Sequence, residues 1–147
     1  MTESYTITVE WSAWLDPDFM DEEWSDSGVL YLYGDDDRPY YIGEAFRQTV
    51  KERFDDHQND GVLECVSNRT EKKFGVKVGH IVKGVSRLSR ELLHDIQTLL
   101  IFDEADGDNC ECNRANTESR NDKRPGMVIL NAGDYTPLAL RYTDDDI

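Results

Sequence analysis

Residues 28–57 read GVLYLYGDDDRPYYIGEAFRQTVKERFDDH, and the order of patterns in this stretch decides the fold. Gly28 to Tyr33 is an apolar, aromatic run of strand type. Gly34-Asp35-Asp36-Asp37 follows, and Gly and Asp accept the backbone angles that a tight turn needs. Arg38 and Pro39 lead into a second strand, Tyr40-Tyr41-Ile42-Gly43, so the two runs predict a β-hairpin. A helix is expected next, from about Phe46 to His57, with Val50 and Phe54 four residues apart on one face.

Outward from this unit the signals continue to alternate. Tyr5 to Val9 alternates and is β-branched, as a strand requires. Trp11, Trp14, Phe19 and Trp24 are read as core or lid packing around the turn signal Asp16-Pro17-Asp18. Gly61 to Val66 reads as a short strand or loop, Asn68 to Phe74 as an exposed polar segment, and Lys77 to Val82 as a third strand. Leu88, Leu92, Ile96, Leu99 and Leu100 give a buried stripe to a helix expected over 86–102, with 103–109 as a loop. Met127 to Leu130 predicts a last strand, and Gly133-Asp134 a turn into Thr136-Pro137-Leu138. No repeat and no long linker divides the chain, so residues 1–147 are expected to form one domain.

Two motifs and a helix pattern in this order resemble the GIY-YIG nuclease family. The second motif is intact as Tyr41-Ile42-Gly43. The first stands altered as Val29-Leu30-Tyr31, and Tyr31 and Tyr41 are ten residues apart across the turn. Arg53-Phe54-Asp55-Asp56-His57 is similar to the family's helix, with His four residues after Arg. The likeness runs from about residue 28 to 116, with 1–27 as an N-terminal arm and 117–147 as a C-terminal strand and tail. It implies an α/β fold in which a small central mixed or antiparallel sheet is flanked by helices. Two such tyrosines would also suit plain core packing in a hairpin.

The resemblance further implies divalent-metal-dependent hydrolysis of phosphodiester bonds, in DNA ahead of RNA. In that picture Tyr31 is the general base toward water, although a phenol with its ordinary pKa near 10 needs a nearby cation for the task. Tyr41 positions water or phosphate. Arg53 holds the phosphate with its planar fork and meets the developing charge. His57, one turn beyond Arg53, is left two parts, phosphate contact or proton relay. Gly43, Arg47 and Asn113 are implied on the substrate side, and Asn116 closes the site, with Asn113 as the alternative to it. The family's metal-binding Glu corresponds here to Gln97, and a neutral amide is a poorer ligand for Mg²⁺ or Mn²⁺ than a carboxylate. Asp95 and Glu91 lie on the same helix, and Asp95 is the possible substitute. A catalytically impaired fold that binds nucleic acid or a protein partner is therefore the competing expectation. An acidic mimic of nucleic acid is a more distant one.

Composition sets further bounds. A formal net charge of -15 repels a phosphate backbone at long range. The carboxylates run along the whole chain, which favours adaptation to high salt over a single basic partner. Cys65, Cys110 and Cys112 form a small odd set, read as reduced thiols in a reducing cytoplasm. Cys110-x-Cys112 is a poor zinc signal, even with Cys65, His80 and His94 elsewhere in the chain. No secretory segment and no membrane span is expected.

Overall fold

The computed structural model describes residues 5–18, 26–36, 38–70, 73–85, 87–106, 110, 112–113 and 127–143. Phe19, Trp24 and Asn116, all singled out from the sequence, lie outside these residues.

β2 (Val29–Gly34) is buried along its whole length. A strand covered on both faces needs apolar side chains at every position, not at alternate ones. Its residues divide accordingly. Leu30 and Leu32 join Ile7, Val9, Trp11, Ile42 and the apolar stripe Leu92, Leu93, Ile96, Leu99 and Leu100 in one core. Val29, Tyr31 and Tyr33 join Val50, Val66, Val76 and Val78 in the other.

The sheet has six strands in the order β3-β2-β4-β1-β5-β6. β3 is Pro39–Ala45, β4 is Gly75–Lys83, β1 is Tyr5–Trp11, β5 is Met127–Gly133 and β6 is Arg141–Thr143. β1 and β5 run parallel and the other neighbours antiparallel, so the fold is α/β with a mixed sheet. The opening segment is no peripheral arm, since β1 lies inside the sheet between β4 and β5. Trp11 is buried there, and its indole N–H donates to Asn131 Oδ1 at 2.8 Å. Helix α3 (Arg90–Asp106) lies against β3, β2 and β6. Helices α1 (Val50–His57) and α2 (Val62–Arg69) contribute Val50 and Val66 to the opposite core.

Several boundaries differ from the sequence reading, each for a local reason. α1 starts at Val50 and not at Phe46, because Thr49 caps it. Thr49 Oγ1 accepts from the Glu52 amide at 3.1 Å, and Glu52 Oε1 accepts from the Thr49 amide at 2.9 Å. This is a reciprocal capping box, written in the sequence as Thr49-x-x-Glu52. The segment 61–66, read as a strand or loop, opens α2 instead. Asp60 Oδ1 accepts from the Val62 amide at 3.0 Å and fixes its first turn. α3 begins at Arg90, with Ser89 Oγ accepting from the Leu92 amide, and continues to Asp106 past the expected end. β6 was absent from the expectation, as three residues carry too little periodicity to register.

β3 is an edge strand, and an edge exposes unpaired backbone groups. Residues 110, 112 and 113 cover it. The amides of Cys110 and Cys112 donate to the carbonyls of Pro39 and Tyr40, both at 2.9 Å. The expectation of reduced cysteines is corrected here, because Cys65 and Cys112 form a disulfide that ties this cover to α2. The bridge also withdraws the cysteine-based ground for a reducing compartment. Cys110 keeps a buried thiol, and burial pushes its pKa far up. Among the described residues no helix is long and apolar enough to cross a membrane.

The bridge spans a sequence separation of 47 residues. Cys112→Ser should therefore destabilise the fold by about 2–5 kcal/mol, measured as a lower urea midpoint. Reductant should bring the wild type down to the level of the variant. Identical midpoints for the wild type with and without reductant would show that the bridge carries no stability.

Candidate functional site

The hairpin and α1 bring four of the residues singled out from the sequence into one cluster. Tyr31 projects from β2 and Tyr41 from β3, with ring centroids 6.1 Å apart. The Tyr41 ring meets His57 edge-on at 4.9 Å between centroids. Tyr31 Oη lies 2.7 Å from His57 Nε2, and His57 Nδ1 lies 2.8 Å from Asp60 Oδ2. Arg53, one turn before His57, interacts with both phenols and reaches Asp56 Oδ2 at 3.4 Å.

Gly43 explains why this arrangement closes. It pairs with Tyr31 across the hairpin, and a Cβ at position 43 would overlap the Tyr31 ring and hydroxyl. The bare backbone of β3 is the floor on which the phenol lies. That is a steric reason for glycine at the end of the Tyr41-Ile42-Gly43 motif.

Protonation follows from the partners. Interaction with the Val62 amide and with His57 outweighs slight burial at Asp60 and holds its carboxyl below the ordinary range. An ionised carboxylate only accepts, so His57 Nδ1 carries the hydrogen. Burial lowers the His57 pKa, only partly offset by Asp60, so the ring is neutral at neutral pH. Nε2 is then an acceptor, and Tyr31 donates to it. The result is a directed chain from Tyr31 to His57 to Asp60, in which the third group fixes the tautomer of the second.

Burial raises the pKa of Tyr31 well above that of a free phenol, with Tyr41 adding to the shift and Arg53 opposing it. Tyr31 is fully enclosed. Tyr41 is half-buried, and burial raises its pKa while Arg53 opposes. Partial burial acts against the Arg53 charge, but the two phenols and Asp56 more than offset it, so its pKa rises. Tyr33 completes the wall, edge-on to both His57 and Phe54, with its hydroxyl buried and without a partner.

The other residues singled out from the sequence stand apart from this cluster. Gln97 Nε2 donates to the Ile42 carbonyl at 3.1 Å. Asn113 binds the same residue twice, accepting from the Ile42 amide and donating to its carbonyl, both at 3.0 Å. Both amides therefore hold the edge of β3. Gln97 fits the part of a dication ligand poorly, being a neutral amide whose Nε2 faces the Ile42 carbonyl. Asp95 is half-buried on α3 and Glu91 is exposed. Among the described residues no three His, Cys, Asp or Glu side chains gather around one point.

Beside Arg53 opens a cleft of about 180 Å³, lined by Glu44, Phe46, Arg47, Gln48, Arg53 and Arg90. Arg53 thus belongs to both the tyrosine cluster and the cleft. Sequence reasoning missed Asp60, Glu44 and Arg90. Asp60 had a readable signal, an acid one helical turn after His57, whereas Arg90 arrives from a helix far along the chain. Comparison with protein families, with curated proteins and with solved structures finds no match for this chain.

Gly43→Ala should force Tyr31 off β3 and cost about 1–3 kcal/mol, the range for overpacking a filled core. It should also break the Tyr31–His57 contact. Loss of stability in chemical denaturation, with a displaced His57 ring resonance in NMR, is the expected result. An alanine variant with unchanged stability and an unchanged His57 signal would refute the steric account.

Proposed function

We propose that this chain is a GIY-YIG-type nuclease domain that hydrolyses phosphodiester bonds in nucleic acid. One observation carries the proposal: Tyr31, Tyr41, Arg53 and His57, drawn from two strands and a helix, meet beside a cleft lined by arginines. Plain core packing accounts for the two rings, but not for a guanidinium and a histidine–aspartate pair joined to them.

The roles follow from exposure. Tyr41 and Arg53 are the members that reach solvent, and Tyr31 is enclosed. Tyr41 is therefore the phenol that faces water, and Tyr31 is its relay. As the water oxygen bonds to phosphorus, the P–O bond to the leaving oxygen breaks, and that oxygen takes a proton from solvent. Tyr41 takes a proton from the water and passes its own to the hydrogen-bonded Tyr31, and Tyr31 passes one to His57 Nε2. His57 ends protonated beside the Asp60 carboxylate. Arg53 donates to the phosphoryl oxygens as negative charge builds on them. The resemblance brings Mg²⁺ or Mn²⁺ with it, yet no step is routed through a metal, because Gln97 fits one poorly.

A second reading is favoured by that same Gln97, tied to Ile42. On it the domain binds nucleic acid, or a protein partner, without cutting.

The deciding experiment incubates plasmid and single-stranded substrates with Mg²⁺, Mn²⁺ or chelator across a range of salt. Cleavage is expected, with Arg53→Ala reducing the rate by on the order of a hundredfold or more. Tyr41→Phe should be similarly impaired. Cleavage that persists unchanged in both variants removes these residues from the site, and binding without cleavage under every condition favours the second reading.

The pH profile provides another check. The working form of His57 is neutral, and burial holds its pKa below the ordinary histidine value. Activity should be retained as pH falls through the ordinary histidine range and decline only below it. A rate that instead rises as pH is lowered would contradict the relay.

A further inference from the structure

The cleft beside Arg53 is lined by three Arg and one Glu, a formal charge of +2 for its lining, with Asp56 paired to Arg53 at 3.4 Å. The whole chain carries -15. Such a local reversal of sign asks for an explanation. Arg47 and Arg90 are exposed, and neither makes an ion pair with a described residue. Arg47 is steadied by the Phe46 ring, with its guanidinium carbon 5.8 Å from the ring centroid. Arg90 is brought in by the start of α3, and Arg53 by α1. Three separate parts of the fold thus bring arginines to one concave space, where Arg53 is met by Asp56 while the charges of Arg47 and Arg90 favour an anion between them.

We propose that this cleft is a phosphate subsite of its own, in which Arg47 and Arg90 hold a backbone phosphate of a nucleic-acid strand next to the one met by Arg53. Arginine suits the task, since its fork gives paired hydrogen bonds to phosphate oxygens. Only the identity of the neighbouring phosphate as the scissile one rests on the nuclease reading; anion binding in the cleft does not. Glu44 acts in the opposite direction. One of its carboxylate oxygens is buried without a hydrogen-bond partner, and its charge faces the same cleft. It balances part of the cationic charge in the empty protein and repels an incoming phosphate. The acidic remainder of the surface sets how the site depends on salt. At about 1 M salt the reach of a surface charge falls to roughly 3 Å, so the net repulsion fades while direct contacts in the cleft persist.

The test measures binding of the full chain to a fluorescein-labelled single-stranded DNA by anisotropy, in chelator so that nothing is cut. Arg90→Ala should weaken binding about fivefold to tenfold and reduce the salt slope by about one. Arg90→Glu should weaken it further, and Glu44→Gln should tighten it severalfold. Inorganic phosphate is the competitor, and it should displace the strand only weakly, because a strand engages more than one arginine. Wild-type affinity in both Arg90 variants, or no gain in Glu44→Gln, would overturn the proposal. So would full displacement by phosphate at concentrations comparable to those of the strand. Thermal unfolding of each variant controls for folding, and the Glu44 arm is independent of Arg90. A protein that binds through Arg90 but never cuts defeats the nuclease reading alone. One that cuts, with flat Arg90 arms, defeats this subsite alone.

Discussion

The missing side chain at Gly43 is the constraint on which the rest of the site depends. Because β3 is bare at that point, the Tyr31 ring can lie across the strand instead of standing beside it. That orientation brings the phenol oxygen to His57 at the end of α1. His57 can meet it only because α1 stops there and Asp60, in the turn that follows, takes hold of the other ring nitrogen. The other Asp60 oxygen in turn accepts from the Val62 amide, the first residue of α2. One carboxylate therefore fixes both a histidine tautomer and the start of a helix. A shift in any of these elements would be felt in the others, and the Tyr31–His57 contact is held by groups of the chain itself.

How much of this was legible in the sequence depends on the range of the interaction involved. The hairpin, its turn and the central strands were readable, because strand periodicity and turn chemistry are local. Tyr31, Tyr41, Arg53 and His57 were readable as a set, since one hairpin and one helix carry them all within 30 residues. The start of α1 at Thr49 was also written locally, as a capping box, yet the apolar spacing of Phe46, Val50 and Phe54 suggested a longer helix. α2 was missed because Val62-Leu63-Glu64-Cys65-Val66 is too short for periodicity to separate helix from strand. Asp60 accepts from the Val62 amide where α2 opens, and reading that contact requires knowing where α1 ends. The Cys65–Cys112 bridge and the approach of Arg90 to Arg53 join distant parts of the chain. No local pattern encodes such pairings. The resemblance favoured Asn116, which lies outside the described residues, and the two-way clamp of Asn113 on Ile42 joins residues 71 apart in the chain.

The electrostatics are divided by length scale. Net negative charge acts at a distance and is weakened by salt, whereas the guanidinium groups act at contact. An acidic domain is not thereby barred from phosphate; it is barred from loose, nonspecific attraction to it. Only a ligand that reaches the cleft meets a favourable potential. On the proposed reading, that separation makes recognition depend on fit more than on charge steering.

Gln97 and Asn113 bear on whether such a site works by the chemistry that the resemblance implies. Both amides converge on the backbone of Ile42, between Tyr41 and Gly43. An amide can donate to the Ile42 carbonyl, whereas an ionised carboxylate at position 97 could not and would set oxygen against oxygen. Leaving a buried carbonyl with a poorer set of partners costs about 1–3 kcal/mol. Gln97 thus serves the strand that carries Tyr41-Ile42-Gly43. Stiffening β3 holds Tyr41 and Gly43 in register with Tyr31, and so maintains the phenol cluster itself. On this account the neutral residue has a structural part: the strand that positions the phenols gains a donor from it.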